Sequence, residues 1–175
     1  MSVFVEAATG VESKEHATTV GRSLIASQGA DARVTVVIPC YEQARYLPDA
    51  IASLVAQEFT NWQATIINDG SSDNTVEVAE ALIAAYPDRR ISLINQPNSG
   101  PSVARNVAIA GTKSEFILPL DADDKIAPSM LGKCVQLLDT RDDLAIAYCD
   151  WQYFGAQSHV RQALDYDIET LCNRE

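Results

Sequence analysis

The sequence predicts an α/β fold, a mostly parallel sheet flanked by helices. Three observations lead there. Short β-branched runs alternate along the chain with apolar stripes at helical spacing, the pattern of βαβ units. Proline, glycine and Asp-Gly signals fall between the runs and the stripes, where turns belong. The size fits: 175 residues correspond to one domain on a prior of about 100–200 residues per domain. A chain of this length buries roughly two-thirds of its unfolded surface.

The elements follow in order. Met1–Ala32 show little periodicity and form an N-terminal extension, with a helix expected somewhere around Lys14–Ser27. Val34–Ile38 is a β-branched run stopped by Pro39, which reads as a buried strand. Leu47, Ile51, Leu54 and Val55 recur at helical spacing, with Pro48 near the start of that helix. Ala64–Asn68 is a second strand and Asp69–Asp73 a turn. Val76, Ala79, Leu82 and Ile83 mark the next helix, which ends by Pro87. Ile91–Ile94 is a third strand, followed by a polar loop to Gly100. Pro101 suits the first position of a helix, and Gly111 sits where its C-terminal cap belongs. Glu115–Leu120 is a fourth strand, Met130, Leu131, Cys134, Leu137 and Leu138 a fourth helix, and Ala145–Cys149 a fifth strand. There is no internal repeat and no low-complexity tract.

Composition excludes several classes. With 47% apolar and 21% charged residues the chain has the balance of a soluble globular protein. Thirteen Lys and Arg against 24 Asp and Glu leave a formal charge of −11, which argues against a nucleic-acid or anionic-membrane binder, since both need a basic face. No apolar run approaches the ~18 residues of a membrane span, and the acidic residues Glu6, Glu12 and Glu15 do not suit a signal peptide. Cys40, Cys134, Cys149 and Cys172 form no C-x-x-C pair. They read as reduced thiols of a cytoplasmic protein.

Ligands of open α/β sheets collect beyond the carboxyl ends of the strands, and three polar clusters fall there. They are Pro39-Cys40-Tyr41-Glu42, Asn68-Asp69-Gly70-Ser71 and Asp121-Ala122-Asp123-Asp124. In the last, three carboxylates within four residues repel one another unless a cation compensates, and such hard oxygen ligands suit Mg²⁺ or Mn²⁺. The alternative is a solvated acidic turn capping the following helix. Asp69 could accept an N–H from a nucleobase or simply serve an Asp-Gly turn. Tyr41 could stack on a base or close the sheet edge. The segment Asn98–Asn106 brings a helix N-terminus, which favours anions, to the same rim. Arg105, one turn inside, could reach a phosphate or pair with an Asp of the acidic run. No P-loop and no G-x-G-x-x-G is present. His16 and His159 stand alone, so no Ser/His/Asp or Cys/His machinery is visible. Cys40 reads as a packed thiol, and Trp62 and Trp151 as packing residues.

Together these stretches resemble the family 2 glycosyltransferases, inverting enzymes with the GT-A fold. The matching text is Val34–Ser53 (VTVVIPCYEQARYLPDAIAS), Ile66–Thr75 (IINDGSSDNT), Asn98–Asn106 (NSGPSVARN) and Phe116–Asp124 (FILPLDADD). The matches occur in the family's order and cover about Arg33 to Asp150. The resemblance implies a Rossmann-like sheet in which Pro39, Tyr41 and Glu42 line a nucleotide pocket and Asp69 binds the base. It places Asp121 against the ribose and the metal, makes Asp123 the principal metal ligand of a D-x-D motif, and counts Arg105 and Ala122 among the nucleotide contacts. The implied donor is a nucleotide-diphosphate sugar, most often a UDP-sugar, with Mn²⁺ or Mg²⁺. The implied reaction is displacement at the anomeric carbon of a hexosyl donor by a glycan, lipid or other hydroxyl acceptor, with inversion.

In this family the general base is a carboxylate of a second acidic motif, typically Glu-Asp, well downstream of the D-x-D. None of the acids after Asp124 stands in such a motif, so no catalytic residue is named. The expected organisation is an extension over 1–32, a nucleotide-sugar-binding part over 33–150 and the start of an acceptor-side region over 151–175, incomplete at the C-terminus. Apolar surface exposed by an incomplete domain would favour self-association. Two other functions fit the same residues. One is a non-catalytic nucleotide-sugar-binding or regulatory module. The other is a sugar-1-phosphate nucleotidyltransferase, against which the absence of a glycine-rich, Arg/Lys-bearing loop after the first strand argues.

Overall fold

The computed structural model describes residues 4–7, 32–155 and 158–163; the helix expected around 14–27 lies outside them. The strands are β1 (Phe4–Ala7), β2 (Val34–Cys40), β3 (Trp62–Asp69), β4 (Ile91–Gln96), β5 (Phe116–Pro119) and β6 (Ile146–Tyr148), with a small hairpin β7 (Trp151–Gln152) and β8 (Val160–Arg161). The helices are α1 (Leu47–Val55), α2 (Thr75–Ala85), α3 (Pro101–Ala110) and α4 (Met130–Thr140).

Six strands form one sheet in the order β4-β3-β2-β5-β1-β6. β2 pairs in parallel with β3 on one side and β5 on the other, and β4 pairs in parallel with β3. β1 runs antiparallel to both β5 and β6, a strand to which the sequence reading assigned no element. Four residues are too few to show a period of two.

All seven residues of β2 are buried, which is why the run Val34–Ile38 carries no polar alternation. The strand continues through Pro39, where the sequence reading ended it. Val37 O accepts the Leu120 N–H. In a parallel ladder a residue directs its N–H and C=O to the same neighbour, so Pro39, two residues on, also faces β5. Pairing with β5 stops at Val37↔Pro119, so the missing proline N–H leaves no ladder bond unmade.

The two faces of the sheet are covered differently. Val34, Val36 and Ile38 of β2 join Ile66, Phe116 and Leu118 in a large core with Leu47, Ile51 and Leu54 of α1, Ala79 of α2 and Met130, Leu131, Cys134, Val135 and Leu138 of α4. On the other face Val37, Ile67 and Ile117 pack under Ala104 and Ala108 of α3. The alternation along each strand sends successive residues to opposite faces. α3 starts at Pro101 and is followed by Gly111 at its C-cap, whose N–H reaches Ala108 O and Ile109 O. The residue before the helix, Gly100, has φ +86, a conformation that glycine adopts without a Cβ penalty.

Leu118 is fully buried at the centre of the larger core. Leu118→Ala should lower unfolding stability by about 2–5 kcal/mol, read as a fall in urea midpoint.

Candidate functional site

The strand order reverses beside β2: the chain goes out through β3 and β4 on one side and comes back to β5 on the other. Loops leaving the carboxyl ends of β2 and β5 therefore part, and a crevice opens between them. A cleft of about 560 Å³ lies there. β2 and the turn after it contribute Pro39, Cys40, Tyr41 and Gln43, and β3 contributes Asp69. The loop before α3 and the helix itself supply Asn98, Gly100, Pro101 and Arg105, and the turn after β5 supplies Asp121 and Asp123.

Of the residues the sequence singled out, Pro39, Tyr41, Asp69, Arg105, Asp121 and Asp123 converge on this cleft, while Glu42 and Ala122 are not part of its lining. Ala122 is fully buried in the core. Glu42 has φ 55, and its carboxylate turns to the neighbouring turn, where Oε1 accepts the Ser72 N–H at 2.7 Å and the Ser72 hydroxyl at 2.8 Å. Its own N–H donates to Ser71 Oγ at 3.1 Å. Asp73 completes the stitching: its Oδ2 accepts the Ala44 N–H, and its Oδ1 accepts the N–H and hydroxyl of Thr75 at the start of α2. Burial opposes ionisation of Asp73, but these hydrogen bonds outweigh it and hold the carboxyl below its ordinary value. Sequence reading assigned Asp73 to a turn and missed its part in tying the β2 and β3 loops together. Gln43 was missed too; its only signal was position, four residues beyond Pro39 in the same post-strand loop.

Asp69, 3% exposed, fastens the loop that leads to α3. Its Oδ1 accepts from Gln96 Nε2 at 2.7 Å and from the Ser99 N–H at 2.9 Å, and its Oδ2 accepts the Gly100 N–H at 2.9 Å. The loop comes so close that a Cβ on Gly70, whose φ is +72, would lie 2.6 Å from Asn98 N. Asn68 supports the turn from the other side: its Oδ1 accepts the Ser71 N–H, and its Nδ2 donates to Asn95 Oδ1. Tyr41, by contrast, is half exposed at the mouth of the cleft.

The acidic turn is asymmetric. Asp121 Oδ1 takes an ion pair from Arg105 Nη2 at 2.5 Å. Asp123 is exposed. The Oδ2 of Asp124 is buried with no hydrogen-bond partner. Burial, and then the charges of Asp123 and Asp121, push the Asp124 carboxyl up to about 7. Among the described residues no group of three or more His, Cys, Asp or Glu converges to hold a metal ion. Of the acidic turn, Asp121 and Asp123 line the cleft, and one or two carboxylates completed by substrate phosphates and water are what Mg²⁺-like ions take. Cys40 lines the cleft as a buried thiol whose pKa burial raises, and burial raises Cys134 to about 11. Neither is an activated nucleophile. No helix among the described residues is long and apolar enough to cross a membrane.

The family model described as Glycosyl transferase family 2 matches residues 35–168. The chain belongs to that family. Among similar proteins, the uncharacterized glycosyltransferase YibD of Escherichia coli is 36% identical over 121 residues, 68% of this chain and 34% of YibD. The chondroitin synthase of Pasteurella multocida is 33% identical over 115 residues, 66% of this chain and 12% of the synthase. The family 2 chain thus spans about a third of YibD and about an eighth of the synthase. Its fold is shared with solved structures. S. aureus TarS 1–349 in complex with UDP superposes with a TM-score of 0.57 at 25% identity, covering 63% of this chain and 33% of that one. A mannosyltransferase from Pyrobaculum calidifontis in complex with GDP-Man and Mn²⁺ superposes with a TM-score of 0.58 at 23% identity, over 62% and 33%. The parallel strands flanked by helices are the α/β core of the GT-A fold that these neighbours share.

Two outcomes follow from the carboxylates. Asp69→Asn puts an amide NH₂ against N–H donors; we expect a loss of about 1–3 kcal/mol in urea denaturation, with faster hydrogen exchange at the Ser99 and Gly100 amides. For Asp124 the folded pKa of about 7 lies above the ordinary 3.8, so the native state binds the proton more tightly and stability falls as pH rises through 7. With divalent ions chelated, Asp124→Asn should raise Tm at pH 8, and the gain should shrink as pH falls from 7 towards 4.

Proposed function

We propose that this chain is the nucleotide-sugar-binding part of a family 2 glycosyltransferase of the hexosyltransferase type. It binds a UDP-sugar with Mn²⁺ or Mg²⁺, and the reaction delivers the sugar with inversion to a glycan, lipid or other hydroxyl acceptor. Residues 33–150 form the donor-binding unit, and the acceptor side begins from residue 151. The observation that carries the reading is the convergence of Tyr41, Asp69, Arg105 and Asp123 on one cleft at the strand-order reversal. TarS, which shares the fold, was solved with UDP and with UDP-GlcNAc, the latter complex at 27% identity.

The hydrogen bonding of Asp69 supports uridine. A carboxylate offers about four lone-pair sites, and three N–H donors already use Asp69. One acceptor site remains, which suits the single imide N–H of uracil better than the two adjacent donor groups of guanine. Tyr41 offers an aromatic face for the base. The first turn of α3 directs unpaired backbone N–H groups out of its N-terminus, which faces the cleft and favours a diphosphate.

Asp123, with Asp121, would hold the metal ion, whose chemistry is to neutralise charge on the departing diphosphate. Pro39 and the loop at Gly100 form walls of the cleft in which it would sit. Among the described residues, no carboxylate downstream of Asp124 lines the cleft. Asp139 pairs with Arg33, Asp143 with Arg141, and Asp150 accepts the Ala163 N–H, so no general base is assigned among them. The free thiols Cys40, Cys134 and Cys149 suit a reducing compartment, and we place the protein in the cytoplasm.

Calorimetry tests the reading. UDP should bind with an affinity that rises on adding Mn²⁺ and exceeds that of GDP. Asp123→Ala should weaken Mn²⁺-supported binding about 10- to 100-fold, the scale of a lost contact to a charged group. Absence of any metal-enhanced nucleotide binding would sink the proposal.

A further inference from the structure

We propose that Arg105 is a positioning residue that holds Asp121 until a diphosphate takes it over, so that nucleotide and divalent ion are captured cooperatively. The inference rests on the donor-binding reading above and adds an order of events to it.

Three carboxyl groups are compressed into Asp121–Asp124, and something must offset the charge among them. The adjacent Lys125 does not, because its Nζ pairs with Asp49 Oδ2 at 2.6 Å. The offset comes from Arg105, whose Nη2 contacts Asp121 Oδ1 at 2.5 Å. Both side chains are about one-third exposed, at 30% and 36%, so solvent screens the pair less than it would two surface charges. In this state Asp121 already has its cation. A divalent ion arriving alone finds Asp123 exposed and must compete with a guanidinium for Asp121, and no third His, Cys, Asp or Glu among the described residues completes a site.

The same guanidinium is incompletely satisfied. Arg105 Nε is buried without a hydrogen-bond partner, although the planar fork carries five N–H donors in fixed directions. Arg105 lines the cleft one turn inside α3, on the side where the helix N-terminus favours an anion. A diphosphate satisfies this fork better than one carboxylate oxygen does, since guanidinium and phosphate pair through two parallel hydrogen bonds. Once the fork turns to phosphate, Asp121 is released to stand beside Asp123, and the phosphate oxygens supply the ligands that the chain lacks. Each ligand therefore strengthens the other, and the coupling is reciprocal.

The test is a set of Mn²⁺ titrations with and without UDP on wild type, R105M, D121N and R105M/D121N, with folding checked by thermal melts. In wild type, Mn²⁺ alone should bind weakly and UDP should raise its affinity roughly 5- to 150-fold, the usual span of such coupling. R105M should bind Mn²⁺ alone more tightly than wild type, by roughly 5- to 10-fold for one charge removed from a partly screened contact, while the enhancement by UDP falls towards one. The gain should vanish between D121N and R105M/D121N, because Arg105 then has no carboxylate to hold. R105Q, which keeps a hydrogen-bonding amide without the charge, should shift Mn²⁺ affinity in the same direction and serves if R105M folds poorly. If wild type binds UDP with Mn²⁺ but the Arg105 variants leave Mn²⁺-only affinity unchanged, the role of Arg105 is overturned and the donor reading stands. If wild type binds no UDP with Mn²⁺, both fail. A change in Tm alone, with Mn²⁺ affinity and coupling unmoved, marks a merely structural ion pair and also overturns the proposal.

Discussion

Val34–Cys40 runs through the middle of the sheet with every residue buried, and the rest of the chain is arranged around keeping it so. A strand buried on both faces and paired on both edges needs helices on each side and parallel neighbours left and right. β3 and β5 are those neighbours, while α1, α2 and α4 cover one face and α3 the other. Because β3 lies to one side of β2 and β5 to the other, the loops at their carboxyl ends diverge. The cleft at Pro39, Tyr41, Asp69 and Asp123 is thus a by-product of burying β2, and any ligand that enters it meets residues carried at or just beyond the ends of buried strands.

The acidic character of the chain divides into two uses within this small region. Glu42, Asp69 and Asp73 each accept a backbone N–H from a loop about thirty residues away, at separations of 30 for Glu42–Ser72, 31 for Asp69–Gly100 and 29 for Asp73–Ala44. They act as stitches, and their charge is offset by backbone dipoles rather than by cations. Asp121, Asp123 and Asp124 are different: one is paired with Arg105, one is exposed, and one has a buried oxygen without a partner. A group of acids left so unevenly compensated is where a ligand carrying positive charge has most to gain.

Much of this was legible before the structure. The run Val34–Ile38, the stripe Leu47-Ile51-Leu54 and Pro101 at the first turn of α3 are local patterns that became the elements expected of them, and each of the three polar clusters at strand ends sends at least one residue to the cleft. Other features were not legible. β1 is too short to announce itself. Glu42 and Tyr41 are neighbours in one motif, yet one carboxylate turns aside to Ser72 while the tyrosine stands at the cleft mouth. The choice for Arg105 between phosphate and Asp121 was open in the sequence, and the structure shows the ion pair.

The amino-acid sequence by itself determined the α/β class, the order of the elements from β2 to β6 and the polar clusters at the strand ends. Hydrophobic period and turn propensity are properties of contiguous residues. Only the tertiary structure decided which acids are stitches and which face the cleft, because a carboxylate takes the donors that folding brings to it. For Asp69 those donors lie on the approach to α3, for Glu42 in the turn after β3 and for Asp121 inside α3, and their meeting depends on β2 being buried between β3 and β5.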